Sequence, residues 1–295
     1  MIDYEKTMAW RSGDVRHSYT AKDTILYALG LGLGADPMDP AQLRLTYEKE
    51  LQTLPTMAAV LASPGFWMKE RTELGIDYLK LVHGEQSVTV HEPLPAAATL
   101  IGRSRVLRIV DKGEGKGALL HVEKALHDAQ TDRLMAVAEQ VLFLRGDGGF
   151  SKGMDVPAGS PAEPLPAAPA RAPDAVWDWP IRRDAALLYR LSGDLNPLHV
   201  DPAVAARAGF ERPILHGLAT YGMAGYGLVH LVCQDDPRRL VSMRARLTAP
   251  VFPGETLRLQ VWKMTDQACA FRALVVERDI QVLGHGWATL KETIA

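Results

Sequence analysis

Between Tyr189 and Pro202 the chain reads Tyr-Arg-Leu-Ser-Gly-Asp194-Leu-Asn196-Pro-Leu-His199-Val-Asp201-Pro, which puts a carboxylate, a carboxamide and an imidazole within six positions. Gly193 and Pro197 stop a helix, so Asp194, Asn196 and His199 share a short loop. A carboxylate and an imidazole on one loop make an acid/base pair, because burial and mutual hydrogen bonding tune both toward neutrality. The amide between them can orient a water. The same residues also suit structural duties, with Asp194 capping a helix, Asn196 building an Asx turn and His199 serving as an ordinary histidine. Downstream, Arg-Pro213-Ile-Leu-His216-Gly217-Leu is a Pro-anchored loop feeding an apolar helix-like run. Backbone N–H groups at a helix start point at whatever lies in front of it, and Gly217 permits close approach of a carbonyl oxygen. That is an oxyanion hole in sequence form, or else a plain turn before a buried helix.

These residues need elements to hold them. The stretch Ala185–Leu191 reads as a helix, and strands follow near Leu240–Leu247, Thr256–Lys263, Ala270–Val276 and Gln281–Leu290. The first half has the same order. Thr20 and Asp23 have capping-box spacing before the helical run TAKDTILYALGLG. Thr99–Val110 and Ala118–Leu126 read as a hairpin around Gly-Glu-Gly-Lys-Gly, and Arg133–Phe143 adds another strand. An offset of 162 positions pairs Leu26 with Leu188, Tyr27 with Tyr189, Leu29 with Leu191, Asp39 with Asp201 and Pro40 with Pro202 without a gap. Such self-similarity indicates an internal duplication. At the paired positions the second copy has Asp194, Asn196 and His199, whereas the first has Gly32, Gly34 and Pro37. One copy carries ionisable groups, and the other is expected to supply packing or a pocket.

Residues 151–174 hold six prolines and six alanines and almost no large apolar side chain, which makes them a linker. The expected organisation is therefore 1–150, linker 151–174, and 175–295. The chain is 295 residues long, more than one small core organises. Its 47% hydrophobic and 23% charged residues exclude global disorder. A net charge of −2 cannot supply the basic field that nucleic acid requires, so no nucleic acid partner is expected. Cys233 and Cys269 are the two cysteines and form no CxxC motif, which fits a reducing cytoplasm. The apolar runs are interrupted by Gly and polar residues and fall short of a membrane span, and Asp3, Glu5 and Lys6 do not open a secretory signal. The final Thr-Ile-Ala is no peroxisomal address. A cytoplasmic protein with no membrane partner is the expectation.

The combined string YRLSGDLNPLHVDPAVAARAGFERPILHGLATYG closely resembles the hydratase 2 motif of the MaoC-like (R)-specific 2-enoyl-CoA hydratases, including the hydratase part of peroxisomal multifunctional enzymes. YALGLG, His83-Gly84-Glu85-Gln86, Glu92-Pro-Leu-Pro95, Gly146-Asp-Gly-Gly-Phe150 and Pro250-Val-Phe-Pro-Gly-Glu-Thr256 look like further stretches of the two-domain members, so the resemblance covers nearly the whole chain. It implies an α+β double hot-dog fold, each half wrapping a curved antiparallel sheet around a long helix. It implies reversible hydration of trans-2-enoyl-CoA to (3R)-3-hydroxyacyl-CoA, an acyl-CoA substrate, no cofactor and a homodimer. By position Asp194 and His199 match the catalytic pair, Asn196 the water-holding amide and Gly217 the N–H donor to the thioester oxygen. Tyr189, Asp201, His216, His83 and Glu85 match supporting polar positions. Ala219 departs from the cysteine often found after the Ile-Leu-His-Gly-Leu string, and Glu50-Leu51-Gln52 departs from the expected polar run. A hot-dog acyl-CoA thioesterase and a non-catalytic acyl-CoA-binding subunit are the alternatives.

Gly30-Leu-Gly32-Leu-Gly34 is no dinucleotide fingerprint, since it lies in an apolar helical run and lacks the GxGxxG spacing. Asp194, Asn196, His199 and Asp201 lack the Gly and terminal Glu of a calcium loop, and no three-histidine set appears, so no metal is expected. Arg182, Arg183, Arg212, Arg244 and Arg246 are candidates to meet CoA phosphates, or else solvated surface charges.

Overall fold

The structure, a computed structural model, describes residues 2–154 and 166–292. The first half runs α1 (Tyr4–Ala9), β1 (Arg11–Tyr19), α2 (Ala21–Gly30), α3 (Pro40–Thr46), α4 (Trp67–Glu70), β2 (Leu81–Val90), β3 (Ala98–Asp111), β4 (Ala118–Asp128) and β5 (Leu134–Leu144). The second half runs β6 (Ala175–Pro180), α5 (Ala185–Tyr189), α6 (Pro202–Arg207), α7 (Gly217–Val232), β7 (Leu240–Leu247), β8 (Thr256–Thr265), β9 (Ala268–Val275) and β10 (Ile280–Leu290). Of the expected linker, residues 155–165 lie outside the described residues.

Among the described residues, ten strands form one antiparallel sheet in the order β1-β3-β4-β5-β2-β7-β10-β9-β8-β6. The order is a palindrome. Each half contributes five strands in the same sequence, and the halves meet where β2 pairs with β7, with Glu85 opposite Arg246 and Thr89 opposite Ser242. The strands β1, β2 and β6 were not among those expected from sequence: β1 alternates charge without an apolar face, and β2 carries an irregularity between His83 and Glu85 that breaks its period of two. The β3–β4 hairpin closes where Lys116 N–H donates to the Gly113 carbonyl at 3.0 Å, with Gly113 at a φ of 98° that a side chain would strain.

The duplication is visible in local structure. Asp39 and Asp201 each cap a helix, accepting from the N–H of Ala41 at 2.9 Å and of Ala203 at 2.8 Å, and Pro40 and Pro202 open those helices. Thr20 N–H donates to Asp23 Oδ2 at 2.8 Å, completing the capping box on α2. The equivalent tyrosines Tyr27 and Tyr189 meet with ring centroids 5.9 Å apart, so α2 and α5 face each other across the pseudo-symmetric centre.

The two copies differ in one respect that the resemblance did not anticipate. In the second half α7 is a 16-residue helix, buried from Ala219 to Val229 and packed in the curve of the sheet. An apolar helix of this kind is stable only when covered on all sides. The first half has no counterpart of that length. The offset that pairs the copies brings Pro55 to the place of Gly217, and there the chain makes a single 3-10 turn, Pro55–Ala59. Its continuation is held by Lys124 of β4, whose Nζ donates to the carbonyls of Ala59, at 2.9 Å, and Leu61. Thus each sheet half has its helical layer, but a long central helix occurs in the second alone.

Candidate functional site

The loop after α5 places Asp194, Asn196 and His199 together. Asp194 Oδ1 accepts the N–H of Asn196 at 3.0 Å, and Asn196 Oδ1 accepts the N–H of Leu198 at 3.1 Å, so two successive Asx turns fold the loop back. The single turn Pro197–His199 then brings the His199 ring beneath Asp194. His199 is buried while Asp194 is about half exposed, and His199 Nε2 stands 3.8 Å from Asp194 Oδ2. This separation is too long for a direct hydrogen bond and right for one water to touch both. Asn196 uses its Oδ1 in the turn, which leaves its Nδ2 as the end that can donate.

The protonation pattern is fixed by main-chain carbonyls. His199 Nδ1–H donates to the Ile214 carbonyl at 2.9 Å, which leaves Nε2 with a free lone pair toward Asp194. His216 Nε2–H donates to the Asp194 carbonyl at 3.1 Å. The two rings stack, with centroids 3.7 Å apart. Burial pushes both imidazoles down, His199 below its ordinary value and His216 to about 4, with the neighbouring His199 adding to the latter. Both rings are therefore neutral at neutral pH. Tyr189 packs its ring 5.1 Å from His216, between that ring and Tyr27, whose hydroxyl donates to Thr56 Oγ1 at 3.0 Å.

Gly217 is the first residue of α7, so its N–H has no acceptor inside the helix. A Cβ at this position would run into the Leu247 side chain. The helix start, its dipole and the absent side chain together favour an oxygen carrying negative charge. His83 comes from the first half. Its Nε2–H donates to the Glu85 carbonyl at 3.0 Å, burial pushes it to about 4, and the charge of Asp194 acts on it across the junction of the halves.

Two of the expected supporting residues are engaged in holding elements together. Asp201 caps α6, as described above. Glu85 accepts from Arg246 Nε and Nη2 at 2.9 and 2.7 Å and from Arg244 Nη2 at 2.8 Å. Burial pushes its carboxyl up, but the two guanidinium groups outweigh this and hold it below the ordinary value. Glu85 therefore clamps β2 to β7, and Arg244 and Arg246 are spent on it. Sequence reasoning had no signal for the Ile214 carbonyl, which selects the His199 tautomer, or for Leu247, which closes on Gly217; both contacts are long-range.

In the first copy the position equivalent to Asp194 is filled from across the fold. The Trp179 indole of β6 lies 3.2 Å from where a Gly32 Cβ would stand, and its Nε1–H donates to the Leu31 carbonyl at 2.9 Å. A side chain there would press on the indole and strain the backbone, since Gly32 has a φ of 92°.

Comparison with known proteins agrees with this architecture. Residues 17–146 match the family model described as MFE-2 hydratase 2 N-terminal domain, and residues 164–284 match the MaoC like domain. The chain belongs to the MaoC-like hydratase 2 family. A relative from Mycobacterium tuberculosis, 3-hydroxyacyl-thioester dehydratase Y, is 41% identical, covering 88% of this chain and 88% of that protein. Enoyl-CoA hydratase 2, peroxisomal, from Arabidopsis thaliana is 35% identical over 94% of this chain and 92% of its own. The crystal structure of a MaoC-like dehydratase from Phytophthora capsici superposes with a TM-score of 0.82 at 30% identity, covering 98% of this chain and 99% of the other. The MaoC-like hydratase 2 fold of this chain is thus the double hot-dog, with its polar loop at the junction of the two halves.

Proposed function

We propose that this protein hydrates trans-2-enoyl-CoA reversibly to (3R)-3-hydroxyacyl-CoA, as a hydro-lyase. The observation that carries the reading is the facing of His199 Nε2 and Asp194 Oδ2 at 3.8 Å, both acceptors, with the helix-start N–H of Gly217 following His216, whose ring stacks on His199. A water donating to both presents its oxygen to Cβ of the enoyl group. As the C–O bond forms, one water proton passes to the pair, charge develops on the thioester oxygen, and the Gly217 N–H stabilises it. A proton then passes from the pair to Cα, so one water supplies both the hydroxyl and the proton added and no redox partner enters the balance. The neutral, pre-oriented His199 suits the first transfer. Asn196, through Nδ2, steadies the water; Tyr189 and His216 hold the loop from below.

An acyl-CoA thioester is the proposed substrate, with no added cofactor. Among the described residues no helix is long and apolar enough to cross a membrane. A homodimer and a cytoplasmic location complete the proposal; because the Arabidopsis relative is named peroxisomal, cell fractionation is the test of the second. The activity is tested by incubating purified protein with a trans-2-enoyl-CoA and following loss of the enoyl absorbance, with chiral chromatography of the product. Release of free CoA thiol without hydration would show a thioesterase instead, and saturable binding without turnover a carrier.

A further inference from the structure

The duplication relates two places along the β2–β7 junction, and hydration uses one of them. Pro93 matches Pro250 and Thr99 matches Thr256, an offset of 157 that carries β2 onto β7. Strand register agrees: the offset maps the pair of Glu85 with Arg246 onto the pair of Ser242 with Thr89, and both pairs are formed. By this offset His83 corresponds to Leu240 and Leu247 to Val90, and by the offset of 162 Ile214 corresponds to Gln52 and Gly217 to Pro55. Gln52, Pro55, Val90 and Leu240 line one cavity of about 160 Å³. This cavity is the two-fold mate of the helix-start side of the active site. Val90 is seven residues along β2 from His83, about 23 Å of extended strand, so the two places are well separated.

This copy has lost the chemistry and kept the space. Pro55 has no N–H to offer an oxyanion, and Leu240 takes the place of His83. Charge at the mouth is what it has gained. Arg238 and Lys291 line the cavity and are exposed, whereas their counterparts in the other copy are Leu81 and Leu134. The neighbouring acids are engaged: Asp236 accepts from Arg238 Nε and Nη2, each at 2.8 Å, and Glu292 accepts from Gln267 Nε2. Lys291 is therefore the cation left for a ligand.

We propose that this cavity binds a small amphipathic carboxylate, with its acyl chain inside and its carboxylate on Lys291 at the mouth, and does not turn it over. A cavity of about 150 Å³ takes a body the size of benzene, so about six carbons fit. Pro55, Val90 and Leu240 offer a charge no partner, which keeps the anion at the rim. One cation matches one carboxylate and not the several charges of a CoA ester. Pro55 and Val90 come from the first half and Leu240 and Lys291 from the second, so an occupant bridges the junction and its binding stabilises the fold. The site does not rest on the hydratase reading.

The test titrates the full chain with octanoate by calorimetry and follows its melting temperature. Saturable binding at one equivalent is expected, with a melting temperature that rises with octanoate concentration. Octanol and octylamine share the chain and lack the anion; each is expected to bind about threefold more weakly or worse, as loss of an exposed ion pair gives. Lys291→Gln changes an exposed side chain and is expected to weaken octanoate about threefold while leaving octanol unchanged. Val90→Phe fills the cavity and is expected to abolish binding of both, with its own melting temperature reporting that the chain is folded. Absence of saturable binding, octanol held as tightly as octanoate, or octanoate binding that survives both Lys291→Gln and Val90→Phe overturns the site.

Discussion

His199 and His216 stack with their centroids 3.7 Å apart and their planes 26° from parallel, and the N–H of the second ring holds the main chain of Asp194. The loop that carries the pair is thereby fixed through its main chain. Replacing His216 with Phe keeps the ring and removes the hydrogen bond. A buried hydrogen bond is worth about 1 kcal/mol, so stability should fall by that order, and misplacement of Asp194 should lower kcat about tenfold or more with KM little changed. Steady-state kinetics beside a urea melt checks both; an unchanged kcat would remove the positioning role.

Asp194→Asn and His199→Gln should each lower kcat about 10²–10⁴-fold. Because both groups act on one water, the double variant should be little worse than either single one. Independent, multiplying effects in the cycle would show that the two residues serve different steps.

Gly217→Ala places a methyl against Leu247 and pushes the helix start away from the thioester. Loss of one such N–H donor costs about 10²–10³ in kcat. Leu247→Ala in the same chain opens the space, and recovery of activity is expected. Failure to recover, with the fold intact by circular dichroism, would mean that the methyl blocks the substrate itself.

Glu85→Ala leaves Arg244 and Arg246, neighbouring cations on β7, without the carboxylate that faces them from β2. Breaking a fully buried ion pair costs about 3–5 kcal/mol, and here the arginines are partly exposed, so a loss of about 2 kcal/mol is expected. The denaturation midpoint measures it. A wild-type midpoint would show that pairing of the two halves does not depend on this clamp.

Burial holds the imidazoles of His83, His121 and His216 at about 4. Their unfolded value is about 6.5, so between these limits the unfolded chain binds more protons, and stability is lost as pH falls through that window. Each group contributes up to about 1.4 kcal/mol per pH unit. Urea midpoints from pH 7.5 down to 5 should decline steadily below about 6.5; a flat profile would place these rings in contact with water.

Much of this was legible from local sequence. Spacing alone located the Asp194–His199 loop, the capping box of Thr20 and Asp23, the hairpin around Gly113–Gly117 and the duplication, because turns, caps and periodicity are properties of neighbours in the chain. It did not distinguish a cap from an acid/base group at Asp194, since both require the same short polar side chain. What only the tertiary structure decided lies between distant residues: the β2–β7 junction and its Glu85 clamp, the approach of His83 to Asp194, the Trp179 indole standing where a second active loop would need room, and the exchange of a long helix for the turn at Pro55–Ala59. Those outcomes depend on strand pairing and packing across about 150 residues, and no local pattern encodes which distant surface will fill a given space.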